Sequence, residues 1–178
     1  MNERHRRPDR SEAGEYYFRY IDQVPPGDIV DYLASQRSDA VALFRGVPDS
    51  LAGHRYEDGK WTLREVVGHL SDTERLFTGR AFWFGRGFDS PLPSFDQNVA
   101  IESGRFNDRA WSGLVDEFAA VRDATLTFFA SLPEEAWSRR GVASDNPFTV
   151  RALAFLAAGH VTHHLEIVKA RYLAGAKT

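Results

Sequence analysis

His69, in the run Trp61-Thr-Leu-Arg-Glu-Val-Val-Gly-His-Leu, and the pair His160 and His164, in Gly159-His-Val-Thr-His-His-Leu, are the residues whose types and spacing could do chemistry. Residues four apart on a helix stand one turn above another, with Cβ atoms about 5 to 6 Å apart. Two imidazoles so placed can both reach one ion at about 2.0 to 2.1 Å. A third ligand must come from another element. Of the other three histidines, His5 lies near the N-terminus, His54 in a polar loop and His163 beside the pair itself, whereas His69 lies among Val66, Val67 and Leu70. A single helical histidine is usually a packed core residue with one hydrogen-bond partner. Three facing inward from two helices leave several buried nitrogens to satisfy, at about 1 to 3 kcal/mol for each one left unpaired, and one cation satisfies three of them.

His163 competes with His164 as the partner of His160, because a spacing of three also brings side chains together. Its direction lies about 100° from that of His164, which assigns it a neighbouring contact or a supporting role. Asp72, close to one turn beyond His69, is a candidate to orient a ligand imidazole. Glu74 follows it, and the ordinary use of either carboxylate is a solvated or ion-paired one. Arg80, Arg86, Arg122 and Arg171 are candidates for holding an anionic substrate at the bundle mouth, with Arg80 and Arg171 the two carried forward as substrate-binding residues. Trp61, Phe82, Trp83 and Phe95 could wall a pocket, although aromatics at such positions usually belong to a core.

The bulk composition narrows the chemistry. The chain of 178 residues contains no cysteine, which removes disulfides, thiolate ligands and a protein-borne sulfur nucleophile together. A metal must then be held by nitrogen and oxygen, and any thiol must arrive as a small molecule. A net charge of -3 argues against a surface built to neutralise nucleic-acid phosphates. No apolar run approaches the roughly 18 residues of a membrane span, and the N-terminus lacks the apolar stretch of a secretory signal. The expectation is a soluble, cytoplasmic protein with no nucleic-acid or membrane partner. Residues 1–15, with Arg4, Arg6, Arg7 and Arg10, read as a disordered tail, and residues 16–178 as one domain.

The elements that must position the histidines are four long helices. The first runs from about Asp28 to Val47, after Pro25-Pro26-Gly27. The second starts at Thr62, where Glu65 three residues later completes a capping box, and ends near Arg86-Gly87. Residues from Phe88 to Phe106, with Pro91 and Pro93, form a long connection of the kind that crosses over the end of a bundle. A third helix follows from about Asp108 to Leu132, with a short extra turn through Trp137. Thr149 caps a fourth that reaches Leu173. On this last helix Leu153, Ala157, His160, His164 and Val168 share one sector, while Arg151, Thr162, Glu166 and Lys169 gather opposite. Leu156 and Ile167 widen the apolar arc, so the helix is either central or shared with a second subunit.

These residues resemble the DinB/YfiT-like family of damage-inducible bacterial proteins. The resemblance runs from Tyr20-Ile-Asp-Gln-Val-Pro-Pro-Gly-Asp through Tyr56-Glu-Asp-Gly-Lys-Trp-Thr-Leu-Arg-Glu-Val-Val-Gly-His-Leu-Ser-Asp-Thr-Glu-Arg and Phe95-Asp-Gln-Asn. It continues in Glu117-Phe-Ala-Ala-Val-Arg and Ser131-Leu-Pro-Glu-Glu-Ala-Trp, to the motif at Gly159, and covers about residues 20 to 173. It implies an all-α four-helix bundle of up-down-down-up topology, with His69, His160 and His164 as ligands of a divalent metal, zinc or nickel being usual, and a homodimer. Characterised members include transferases joining low-molecular-weight thiols such as bacillithiol to electrophiles, and a mycothiol-dependent isomerase. The expected activity is a metal-dependent thiol transfer to an electrophilic small molecule. The alternatives are a metal-dependent hydrolase with Asp72 or Glu74 as base, and a non-catalytic metal- or ligand-binding stress protein.

Overall fold

Four helices carry the molecule, and three of them begin at a side chain that accepts from the free N–H groups of the first turn, while the helix that starts at Trp111 follows Ala110 and has no such cap. In this computed structural model, residues 3–174 are described. After a four-residue helix α1 (Phe18–Ile21), Asp28 caps α2 (Ile29–Arg45), accepting from the N–H of Val30 at 2.8 Å. A short α3 (Asp49–Ala52) leads to α4 (Leu63–Gly85). There the capping box is complete, with Glu65 N–H on Thr62 Oγ1 at 3.1 Å and Thr62 N–H on Glu65 Oε2 at 2.7 Å. The crossover holds α5 (Gln97–Gly104), capped by Asp96, and precedes α6 (Trp111–Ala130). Thr149 caps α7 (Val150–Ile167), which continues as a π-helical turn, Val168–Leu173.

Contacts between the helices give their directions. Arg75 meets Glu117 and Phe82 meets Phe128, so α4 and α6 run parallel. The Tyr172 hydroxyl donates to the carbonyl of Trp61, at opposite ends of α7 and α4, so those two are antiparallel. Arg45 pairs with Asp116 and Arg37 with Asp123, which sets α2 against α6. The order is up-down-down-up, and the parallel α4–α6 step requires the long crossover.

The core is divided. One apolar cluster joins Leu33, Phe84, Phe129 and Leu153; the other joins Phe44, Leu63, Phe118 and Val168. Between them every helix contributes polar groups: Gln36 from α2, His69, Thr73 and Glu74 from α4, Arg122 from α6 and His160 from α7, all buried. Arg122 donates to both Glu74 oxygens, at 2.6 and 2.9 Å, to Gln36 Oε1 at 2.8 Å and to the Leu33 carbonyl at 3.2 Å. Gln36 in turn donates to the Ala158 carbonyl and Thr162 Oγ1. This satisfied network ties all four helices at one level.

Three expectations need correction. The first fifteen residues, expected as a tail, are packed from residue 3 onward. Glu12 is 3% exposed and binds Arg151 and Thr149, and Arg7 donates to the carbonyls of Ile21 and Val24 at the end of α1. The reason lies on α7: Arg151, assigned to an outer polar strip, is itself buried and needs a carboxylate. The α7 helix is accordingly central, with every residue from Val150 to Val161 buried. The connection before it holds an antiparallel hairpin, β1 (Arg140–Ala143) and β2 (Asn146–Thr149). Its turn residues Ser144 and Asp145 both have positive φ, 50° and 58°. Among the described residues, no helix is long and apolar enough to cross a membrane.

Candidate metal centre

The two apolar clusters leave a polar level, and the three histidines meet there. His69 reaches it from α4, His160 and His164 from α7, each offering a nitrogen within 4.8 Å of the other two. His69 Nε2 and His160 Nε2 are 3.3 Å apart. His69 and His160 are 3% and 6% exposed, and His164 is partly covered. Each of the first two histidines follows a glycine that a Cβ would disable. At Gly68 it would stand 2.3 Å from the ring of Phe106, and at Gly159 2.1 Å from the carbonyl oxygen of Tyr20. The missing side chains let the end of the crossover close on α4 and let α1 close on α7.

Burial keeps the imidazoles neutral. It pushes His69 down to about 4, and pushes His164 to about 3 with help from charge on His69 and His163. His160 is also held well below the ordinary value near 6.5, first by burial and then by the other three histidines. Neutral nitrogen donors are what a metal requires. Two metal–nitrogen bonds of 2.0 to 2.1 Å at a tetrahedral angle span about 3.3 to 3.4 Å, matching the observed Nε2–Nε2 separation. His69 Nδ1 is buried with no hydrogen-bond partner among the described residues. The donor set fits a divalent cation.

Thr73 orients one ring. Its hydroxyl donates to the His69 carbonyl at 2.7 Å, which leaves its oxygen facing His160 Nδ1 at 3.3 Å as the acceptor of that N–H. His160 Nε2 is thereby the unprotonated nitrogen. Sequence reasoning placed Asp72 in this role. The residue one position on has it, because Thr73 is four from His69 and shares its face.

A model of the DinB superfamily matches residues 32–168. The chain belongs to the DinB superfamily. YfiT from Bacillus subtilis, described as a probable metal-dependent hydrolase with an unusual four-helix bundle topology, is 19% identical; the likeness covers 95% of this chain and 97% of that chain, with a TM-score of 0.66. A mycothiol-dependent maleylpyruvate isomerase is 14% identical over 88% of this chain and 64% of that chain, with a TM-score of 0.70. At these identities the likeness is one of fold. No curated protein sequence matches.

In this DinB-superfamily chain a cavity of about 180 Å³ opens beside His69 and His160. Its other walls are Tyr17 and Tyr20 from the N-terminal segment, Phe95 and Gln97 from the crossover, Ser144 from the hairpin turn, and Thr73 and Arg80 from α4. Arg80, a candidate substrate-binding residue from the sequence, lines this cavity. Arg171 is exposed and lies outside this lining. Asp72 faces Arg75 at 3.4 Å, and Glu74 is locked to Arg122. No carboxylate belongs to the described cavity lining. His163 sits at the edge, its ring 5.2 Å from Tyr20 and 5.4 Å from His164. Burial and the hydrogen bond with Tyr16 raise the Tyr20 phenol above its ordinary range, so it stays protonated. Ser144, Tyr17 and Tyr20 were not singled out as site residues, since each lies outside the four helices expected from the sequence and meets the site only through the fold.

Proposed function

We propose that this protein is a metal-dependent transferase that joins a low-molecular-weight thiol to an electrophilic small molecule, with zinc or nickel on His69, His160 and His164. The observation that carries the reading is a set of three neutral imidazoles beside a cavity whose described walls hold no carboxylate. When bound, the cation supplies an open position at which a thiol loses its proton at neutral pH. Neutral ligands leave the full positive charge of the ion to favour that ionisation. Thr73 fixes the tautomer of His160, and Tyr20 offers a protonated hydroxyl at the cavity wall. The absence of cysteine from the chain fits a thiol brought in as cosubstrate. A homodimer in the cytoplasm is part of the same proposal, and sedimentation of the purified chain tests its oligomeric half.

A metal-dependent hydrolase is the second reading, favoured by the description of YfiT. It requires a base to take a proton from water, and neither Asp72 nor Glu74 is turned to the cavity. Incubation of zinc- and nickel-loaded protein with a panel of electrophiles, with and without several small thiols, separates the two. Thiol-dependent product supports the transferase, and product formed equally well without thiol overturns it in favour of hydrolysis. Metal retention without turnover across the panel overturns both in favour of a binding protein. Metal analysis of His160→Ala beside wild type comes first, and equal content in the two would remove His160 from the site.

A further inference from the structure

Among the described residues three arginines are deeply buried, and two have carboxylate partners there: Arg122 holds Glu74, and Arg151 holds Glu12. Arg80 does not. It is 3% exposed, and its Nη2 donates to the Pro93 carbonyl at 2.9 Å and to Ser144 Oγ at 2.8 Å, both neutral acceptors. Its Nε is buried with no hydrogen-bond partner among the described residues. A buried cation with neutral partners alone is costly. Joining the crossover to the hairpin uses only Nη2, a task a neutral donor could perform. The charge is left without a structural use.

Arg80 lies eleven positions beyond His69, about three turns and so on the same face of α4, and both residues line the cavity. The remaining walls divide by chemistry. Tyr17, Gln97 and Ser144 are polar, while Leu76, Phe77, Phe95 and Leu156 are apolar. A volume of about 180 Å³ holds several waters and gives room for a short acid. We infer that Arg80 forms a carboxylate subsite for a small organic acid, whose hydrocarbon part lies on the apolar wall and whose far end points toward His69 and His160. The direction of that far end rests on the proposed transferase reading; the carboxylate subsite does not.

The test is calorimetric binding of butanoate, of its neutral analogue butanamide, and of 3-sulfanylpropanoate, to the full chain both zinc-loaded and after chelation. Butanoate is expected to bind both forms. Butanamide on wild type and butanoate on Arg80→Met are expected to be weaker by about ten- to a hundredfold, the worth of a hydrogen bond to a charged group. The inference is overturned if acid and amide bind alike, if Arg80→Met binds butanoate as wild type does, or if binding appears only for the thiol acid and only with zinc. Should Arg80→Met fail to fold by circular dichroism, the acid–amide comparison on wild type decides alone. Failure of the metal reading is seen separately, as unchanged zinc content in His160→Ala.

Discussion

Replacement of Glu74 by alanine tests the division between structural and chemical carboxylates. Arg122 is fully buried and donates four hydrogen bonds, two of them to Glu74 at 2.6 and 2.9 Å. Glu74→Ala leaves Nε and one Nη of a guanidinium without acceptors and without a counter-charge. Removing one partner of a buried ion pair costs about 3 to 5 kcal/mol, a large part of the roughly 5 to 15 kcal/mol that holds a domain folded. With a urea slope of about 2 kcal/mol/M, the unfolding midpoint should fall by roughly 2 M. The double variant Glu74→Met/Arg122→Met removes both charges, and should recover much of that loss. Zinc content per folded chain should be unchanged in either, since the pair faces α2 rather than the cavity. Urea unfolding followed by circular dichroism, with metal analysis of the same samples, gives both numbers. A loss below about 1 kcal/mol in Glu74→Ala, or a double variant no more stable than the single, would refute the coupling argued here.

Thr73→Val keeps the shape and removes the acceptor of the His160 N–H, so metal affinity should fall by about 10- to 100-fold; a competition titration against a chromophoric chelator reads it, and an unchanged constant would show that Thr73 does not set the ring. In chelator-treated protein, His69 titrates near 4 against an ordinary 6.5 because burial resists its charge. The unfolded chain therefore takes up a proton that the folded chain refuses below 6.5, so this stability is intact above that pH and is lost as pH falls toward 4. Between about pH 8 and pH 5 the loss from His69 is roughly 2 kcal/mol; His69→Gln should flatten the profile of urea midpoints by that amount, and an equally steep profile in the variant would contradict it. Gly159→Ala places a Cβ 2.1 Å from the Tyr20 carbonyl oxygen, and should cost about 1 to 3 kcal/mol by overpacking; a melting temperature equal to wild type would mean that α1 does not seat there.

The histidine site was legible because helical spacing is a local property. Thr62 and Glu65 announced the start of α4, and the separation of four between His160 and His164 holds wherever the helix lies. What escaped depends on distant partners. Thr73 lies one residue from the favoured Asp72, and its role appears only once His160 is brought opposite it. Glu12 is unremarkable in sequence and becomes essential to Arg151, 139 residues away. The hairpin has four-residue strands, and its Ser144-Asp145 turn lacks the glycine that usually marks two successive positive-φ residues. The short α5 fell within a stretch whose prolines spoke for irregular chain.

The walls of the cavity come from two kinds of chain. His69, His160, Thr73 and Arg80 stand on long helices pinned together by the Arg122 network, whereas Tyr17, Phe95, Gln97 and Ser144 come from a leading segment, a crossover and a tight turn. Such connections tolerate exchange far better than packed helices do. An evolving lineage can therefore redraw what it accepts by editing three peripheral segments, while the imidazoles and their geometry stay as inherited.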